Sequence, residues 1–124
     1  TQRNLSAEGR AQSDAIGKRL ASRGVAIGAV LSSRWCRCLD TARLAFGRVE
    51  EWPPLDSFFS DRDAANARTR EVLERATRWQ GPGTLVLVTH QMNIIAAAGE
   101  STAVGEGLVI DRAGRVVGRV SAAP

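Results

Sequence analysis

Two short stretches carry residue types that could bind an anion. In the first, Ser32 and Ser33 are followed by Arg34, Arg37 and Thr41, whose spacing places them on one face of a helix. A helix start offers N–H groups and the positive end of its dipole to an anion, and a guanidinium adds a fork of donors. The pattern favours an anion site at Arg37, although arginines on a solvated helix surface would show the same spacing.

The second stretch is Val88-Thr89-His90-Gln91, which contains the one histidine of the chain. A histidine at the tip of a buried strand and the start of a helix can bond a phosphoryl oxygen and stabilise charge in the transition state. The alternative is an ordinary buried histidine with a satisfied hydrogen bond. Because the carboxyl ends of parallel strands meet at one edge of a sheet, we expect Arg37 and His90 to lie close together.

The elements that must position these residues alternate between helices and apolar strands, which predicts a layered α/β domain. Ser6 is the predicted N-cap of the first helix, and residues 48–61 form an irregular segment long enough to be a lid or a pocket wall. The predicted helices cover about 7–23, 35–46, 63–80 and 93–98. The predicted strands cover 29–31 and 84–89, with a hairpin over 108–120 that turns at 111–114.

The composition fits one domain over residues 1–124 that binds anions. The chain has 124 residues, a net charge of +4 and a single lysine, Lys18, among its seventeen basic residues. Arginine suits phosphate, although GC-rich coding would also raise the arginine content. The arginines are scattered and there is no tyrosine, so nucleic-acid binding is the weakest hypothesis. No run is long enough to span a membrane.

The two cysteines, Cys36 and Cys38, are too close in sequence for an unstrained disulfide. Two ligands also cannot complete a zinc site. They are therefore interpreted as small packing residues of a helix, or one of them pairs with a cysteine upstream of residue 1 in an oxidising compartment.

Four segments together resemble the histidine phosphatase superfamily, which has the phosphoglycerate mutase-like fold. Leu31 to Ala42 is similar to the S-S-x-x-x-R-x-x-x-T-A helix start of that family, and Leu85 to Gln91 resembles its apolar strand ending in T-H. Arg3 to Gln12 is similar to its L-[ST]-x-x-G-x-x-Q segment, and Val104 to Glu106 resembles a G-E that precedes a late strand. The resemblance implies a three-layer α/β/α fold with a mostly parallel central sheet and a C-terminal hairpin, as in the small members of the family.

The same resemblance implies a phosphomonoesterase that hydrolyses a phosphate ester through a phosphohistidine intermediate. Arg37 and His90 would be catalytic and would bind the phosphate together with Gln91. The general acid would follow the second helix, where Asp56 and Asp61 are candidates, although each also suits a surface loop. No metal or other cofactor is implied, and the partner would be a small phosphorylated substrate or a phosphoprotein.

The nucleophile of the family is a different histidine, in an R-H-[GA] motif at the end of the first strand. His90 is the only histidine here, so the resemblance implies that the motif lies upstream of residue 1 on a strand that is central in the sheet. Without it, two strands would face a gap with unpaired backbone groups, and we expect residues 1–124 alone to be inactive. The alternative is a non-catalytic relative that binds an anion or a phosphorylated ligand.

The stretch Trp35-Cys36-Arg37-Cys38 resembles exported members of the family. This resemblance favours the periplasm or export over the cytoplasm.

Overall fold

The computed structural model describes residues 5–57 and 62–121, which form an α/β fold with four α-helices and five strands. The α-helices are α1 (Ala7–Ser22), α2 (Cys36–Phe46), α3 (Ala65–Thr77) and α4 (Gln91–Ala98). The strands are β1 (Ile27–Ser32), β2 (Glu50–Glu51), β3 (Thr84–Val88), β4 (Glu106–Ile110) and β5 (Val116–Ser121). Short 3₁₀ turns cover Pro53–Leu55 and Arg62–Ala64.

The ends of the first two helices follow from local chemistry. Ser6 is the N-cap of α1, and its hydroxyl accepts a hydrogen bond from the N–H of Gly9 at 3.0 Å, as predicted. Gly47 ends α2 with a φ of 76°, a left-handed conformation that glycine adopts without steric cost. The stripe of α2 predicted to be apolar faces inward, with Leu39 and Ala42 buried.

The strands form two separate sheets. β1 is the middle strand of a parallel sheet of order β2-β1-β3, and β4 and β5 form an antiparallel hairpin. The predicted α/β architecture, with a parallel sheet and a C-terminal hairpin, is confirmed. β2 lies inside the segment that was expected to be irregular, and α3 ends at Thr77 rather than Gln80.

One edge of β3 has no neighbouring strand among the described residues. β3 pairs with β1 alone, and β4 belongs to the other sheet. The N–H of Thr84 donates to the carbonyl oxygen of Ala26, and the N–H of Ser33 donates to that of Val88, so Thr84 and Val88 face β1. Because successive residues of a strand face opposite sides, the N–H and C=O groups of Leu85 and Leu87 face the open edge. Although its sequence is almost entirely apolar, β3 is only half-buried.

The core lies between α2 and the parallel sheet. Helices α1 and α2 pack against each other, α2 packs on β1 and β3, and α3 packs on α4. The buried apolar side chains are few and come mainly from β1, α2 and the turn after β2: Val30, Leu31, Cys38, Leu39, Ala42 and Leu55. This small core holds the carboxyl ends of β1 and β3 next to the start of α2.

Helices α1 and α2 approach each other closely at Gly17, where an added Cβ would overlap the carbonyl oxygen of Ala45. We expect Gly17→Ala to lower the free energy of unfolding by about 1–3 kcal/mol, because the overlap forces the helices apart. The better helix propensity of alanine, about 1 kcal/mol, opposes this loss. Urea denaturation measures the change. Lys18→Ala, at an exposed position of the same helix, is the control, and equal stabilities of the two variants would contradict the close packing.

Candidate phosphate site

Two helices begin at the carboxyl edge of the parallel sheet. β1 ends at Ser32 and the chain enters α2 at Cys36, and β3 ends at Val88 and the chain enters α4 at Gln91. The N-caps of these helices are Trp35 and His90, and neither makes a side-chain capping bond. Two helix N-termini, each with a positive dipole end, therefore lie at one edge of the sheet.

The two residues that the sequence singled out come together at this edge. The Nη2 atom of Arg37 lies 3.4 Å from Nδ1 of His90. His90 is buried, with 7% of its surface exposed, and Arg37 is half-buried. The indole of Trp35 contacts both side chains: its ring packs edge-on against His90 at 5.0 Å, and the Arg37 guanidinium stacks over it at 5.5 Å.

Arg37 has no carboxylate partner among the residues that the structure describes, whereas the nearby Arg34 is ion-paired. Nη2 of Arg34 lies 2.6 Å from Oδ2 of Asp56. The charge of Arg34 is therefore neutralised by Asp56, and the guanidinium of Arg37 is available to an anion. Thr41, predicted on the same face, bonds back to the carbonyl oxygen of Arg37 at 2.8 Å. Of the three residues, Arg37 is therefore the one placed to bind an anion.

A buried chain of hydrogen bonds lies behind the imidazole. Ser33 Oγ is 2.9 Å from Nε2 of His90 and 3.3 Å from Oδ1 of Asp56. The Asp56 carboxylate also accepts bonds from the backbone N–H and from Nε of Arg34, both at 2.8 Å. No local pattern indicated this link, because Ser33 and Asp56 are 23 residues apart.

The pKa values of the site show opposing influences. Burial lowers the pKa of His90, the positive charge of Arg37 lowers it further, and Asp56 opposes both, so that on balance the neutral imidazole is favoured. Burial favours the neutral form of Asp56, but the hydrogen bonds and charge of Arg34 outweigh it and lower the pKa of the carboxyl. Burial also raises the pKa of the Cys38 thiol, which lies 3.8 Å from Nε2 of His90.

The other predicted residues are placed differently. The Gln91 amide bonds to Thr102 in both directions, at 3.0 and 2.8 Å, so its side chain is held by the loop before β4. Asp56 is buried, and its carboxylate bonds to Ser33 and Arg34. Asp61 lies outside the described residues. Cys36 is exposed and Cys38 is buried, and neither forms a disulfide within the described chain.

No group of three or more His, Cys, Asp and Glu side chains suited to a metal ion occurs within residues 5–57 and 62–121. In the same part of the chain, no helix is long and apolar enough to cross a bilayer.

Comparison with known proteins finds one family model and several solved structures that resemble this chain. Residues 1–61 match the model of the histidine phosphatase superfamily (branch 1). The fold is similar to TTHB049 of Thermus thermophilus, with 23% sequence identity and a TM-score of 0.70, over 98% of this chain and 86% of that one. It is equally similar to a phosphoglycerate mutase from the same organism, with 21% identity, a TM-score of 0.70 and the same coverage. No curated protein matches the chain.

The match over residues 1–61 and the phosphoglycerate mutase-like fold support membership of the histidine phosphatase superfamily. Proteins of this superfamily are generally phosphatases or mutases.

Proposed function

We propose that this protein is a phosphomonoesterase whose phosphoryl-binding site is formed by Arg37, His90 and the N-termini of α2 and α4. The observation that carries the proposal is the half-buried guanidinium of Arg37, which lies beside His90 and has no carboxylate partner in the described chain. A phosphate dianion is the ligand that such a donor fork and two dipole ends favour. Because His90 is buried and Arg37 is half-buried, these donors also stabilise the charge that develops during phosphoryl transfer.

The reaction proceeds through a phosphohistidine on a second histidine, which attacks the phosphorus atom and releases the alcohol. Water then attacks the phosphohistidine, releases inorganic phosphate and restores the imidazole. The nucleophile belongs on a strand upstream of residue 1, and the substrate is a small phosphorylated molecule or a phosphoprotein.

The open edge of β3 supports this arrangement. A strand added there pairs with the N–H and C=O groups of Leu85 and Leu87. If it runs parallel to β3, its carboxyl end reaches the edge where Arg37 and His90 lie. A histidine at that end is within reach of a phosphoryl group bound by both residues.

A second candidate function is binding of a phosphorylated ligand without hydrolysis. It is favoured by the presence of one histidine in the 124 residues. In this case the pocket binds a phosphoryl group through the same donors and forms no covalent intermediate.

One experiment separates the two functions. The 124-residue chain and the longer product of the same gene, including its upstream coding sequence, are incubated with an aryl phosphate, and released phosphate and acid-labile phosphohistidine are measured. We expect both proteins to bind inorganic phosphate and only the longer one to hydrolyse the ester. Binding without turnover by both indicates the second function, and binding by neither refutes the phosphate site.

A further inference from the structure

The imidazole of His90 is held from two sides by groups of opposite charge. On one side, Nδ1 faces the guanidinium of Arg37 at 3.4 Å. On the other, Nε2 faces the hydroxyl of Ser33, which in turn contacts the carboxylate of Asp56. The ring and the two groups behind it are buried, with 0% of Ser33 and 7% of Asp56 and His90 exposed.

The donors and acceptors of this series of hydrogen bonds fit together in one way. A guanidinium only donates, so the Nδ1 atom that faces Arg37 carries a lone pair, and the proton of the neutral ring is on Nε2. Ser33 Oγ then accepts from Nε2–H and from the backbone N–H of Trp35, which is 3.2 Å away. Its own proton is left for the Asp56 carboxylate, which can only accept. Arg37 at one end of this hydrogen-bonded series and Asp56 at the other therefore select the same tautomer of His90.

Resting on the proposed function, we infer that Asp56 acts through Ser33 as a positioning residue. It fixes the His90 ring with Nε2–H toward Ser33 and leaves Nδ1 as the atom that meets a phosphoryl oxygen beside Arg37. This role differs from proton donation to a leaving group, and it makes use of the charge that Arg34 keeps on the Asp56 carboxylate.

The backbone around Asp56 is built to hold this carboxylate in place. The Asn93 side chain donates to the carbonyl oxygens of Leu55 and Asp56, at 3.4 and 2.9 Å, and the Thr89 hydroxyl donates to that of Leu55. Thr89 and Asn93 flank His90 in sequence. The same short stretch that carries the imidazole therefore also anchors the residue that orients it.

Binding of a phosphate dianion requires one further proton on the ring. A lone pair on Nδ1 repels a phosphoryl oxygen, whereas an Nδ1–H group donates to it. The ring therefore takes up one proton from solvent as the dianion binds, and no bond of the ligand breaks. Asp56 favours the resulting imidazolium through Ser33, since Nε2–H remains a donor to Oγ.

The single histidine allows a direct test by ¹⁵N NMR of the ligand-free chain, with inorganic phosphate as a separate probe. We expect the native ring to have its proton on Nε2. In Asp56→Asn and in Ser33→Ala, we expect the pKa of His90 to fall, because the ring loses the partner that favours its charged form, and we expect phosphate binding to weaken about tenfold. Asp40→Asn is the matched control, because it removes a different ion-paired carboxylate, which lies on α2. Circular dichroism verifies that each variant is folded. Asp56→Glu restores the charge and is expected to recover most of the shift.

The outcomes separate the inference from the proposed function. A native tautomer with the proton on Nδ1, or variants at Asp56 and Ser33 that titrate like Asp40→Asn, would overturn the positioning role even if phosphate binds. If the titration shifts as expected but phosphate leaves the His90 resonances unchanged, the positioning role stands and the phosphate site is refuted. The groups that face the ring and must be considered in the fit are Arg37, Cys38 and Asp56.

Discussion

Replacement of Arg37 by alanine is expected to weaken binding of inorganic phosphate about 10- to 100-fold, because charge-assisted hydrogen bonds from the guanidinium are lost. In a protein that carries the proposed upstream strand and its histidine, turnover of an aryl phosphate is expected to fall further, by about 10²- to 10³-fold, since the same donors stabilise charge in the transition state. Titration calorimetry measures the first effect, and release of phosphate measures the second.

Two further variants sharpen this result. Arg37→Lys keeps the positive charge but loses the fork of donors, so we expect an intermediate affinity. Arg43→Ala removes an exposed arginine from the same helix, where it lies 3.9 Å from Asp40, and controls for the change in net charge. If Arg37→Ala and Arg43→Ala bind phosphate equally well, the affinity comes from general basic charge and not from this pocket.

Truncation of Leu55 is expected to cost about 2–5 kcal/mol of unfolding free energy, the range typical of a buried leucine replaced by alanine. Leu55 is fully buried, with 0% of its surface exposed, and belongs to a small core. Against a total of about 5–15 kcal/mol for a domain, this is the largest effect on stability that we expect from a single change. Urea denaturation followed by circular dichroism measures it.

The same substitution also affects the site, because Leu55 precedes Asp56 and its carbonyl oxygen accepts bonds from Thr89 and Asn93. A cavity at this position loosens the segment that orients His90. Val104→Ala, at a side chain that is 88% exposed, is the control and is expected to change stability by less than about 0.5 kcal/mol. Equal effects of Leu55→Ala and Val104→Ala would show that the segment after β2 is not docked in the core.

Patterns within single elements predicted most of the fold. The apolar stripe of α2, the continuous apolar run of β3 and the N-cap at Ser6 are local signals, and each appears where it was predicted. The meeting of Arg37 and His90 also followed from the sequence, because both come directly after parallel strands.

The remainder depends on long-range contacts that leave no local signal. β2 consists of Glu50 and Glu51, which have neither the alternation nor the apolar character of a strand, and it forms by pairing with Leu31 and Ser32. The contact of Asp56 with Ser33 depends on how the segment after β2 folds back onto the sheet. Asp56 therefore looked like a loop carboxylate or a general acid, whereas its burial and its bonds to Ser33 and Arg34 support the orienting role that we propose.

We propose that Arg37 and His90 form one phosphate site, and the most direct test is a titration of the chain with inorganic phosphate monitored at the imidazole of His90. We predict saturable changes in the ¹⁵N shifts of both ring nitrogens, a rise in the pKa of His90 when phosphate is bound, and loss of both effects in Arg37→Ala. An imidazole that titrates identically with and without saturating phosphate, or a response that survives in Arg37→Ala, would contradict the claim.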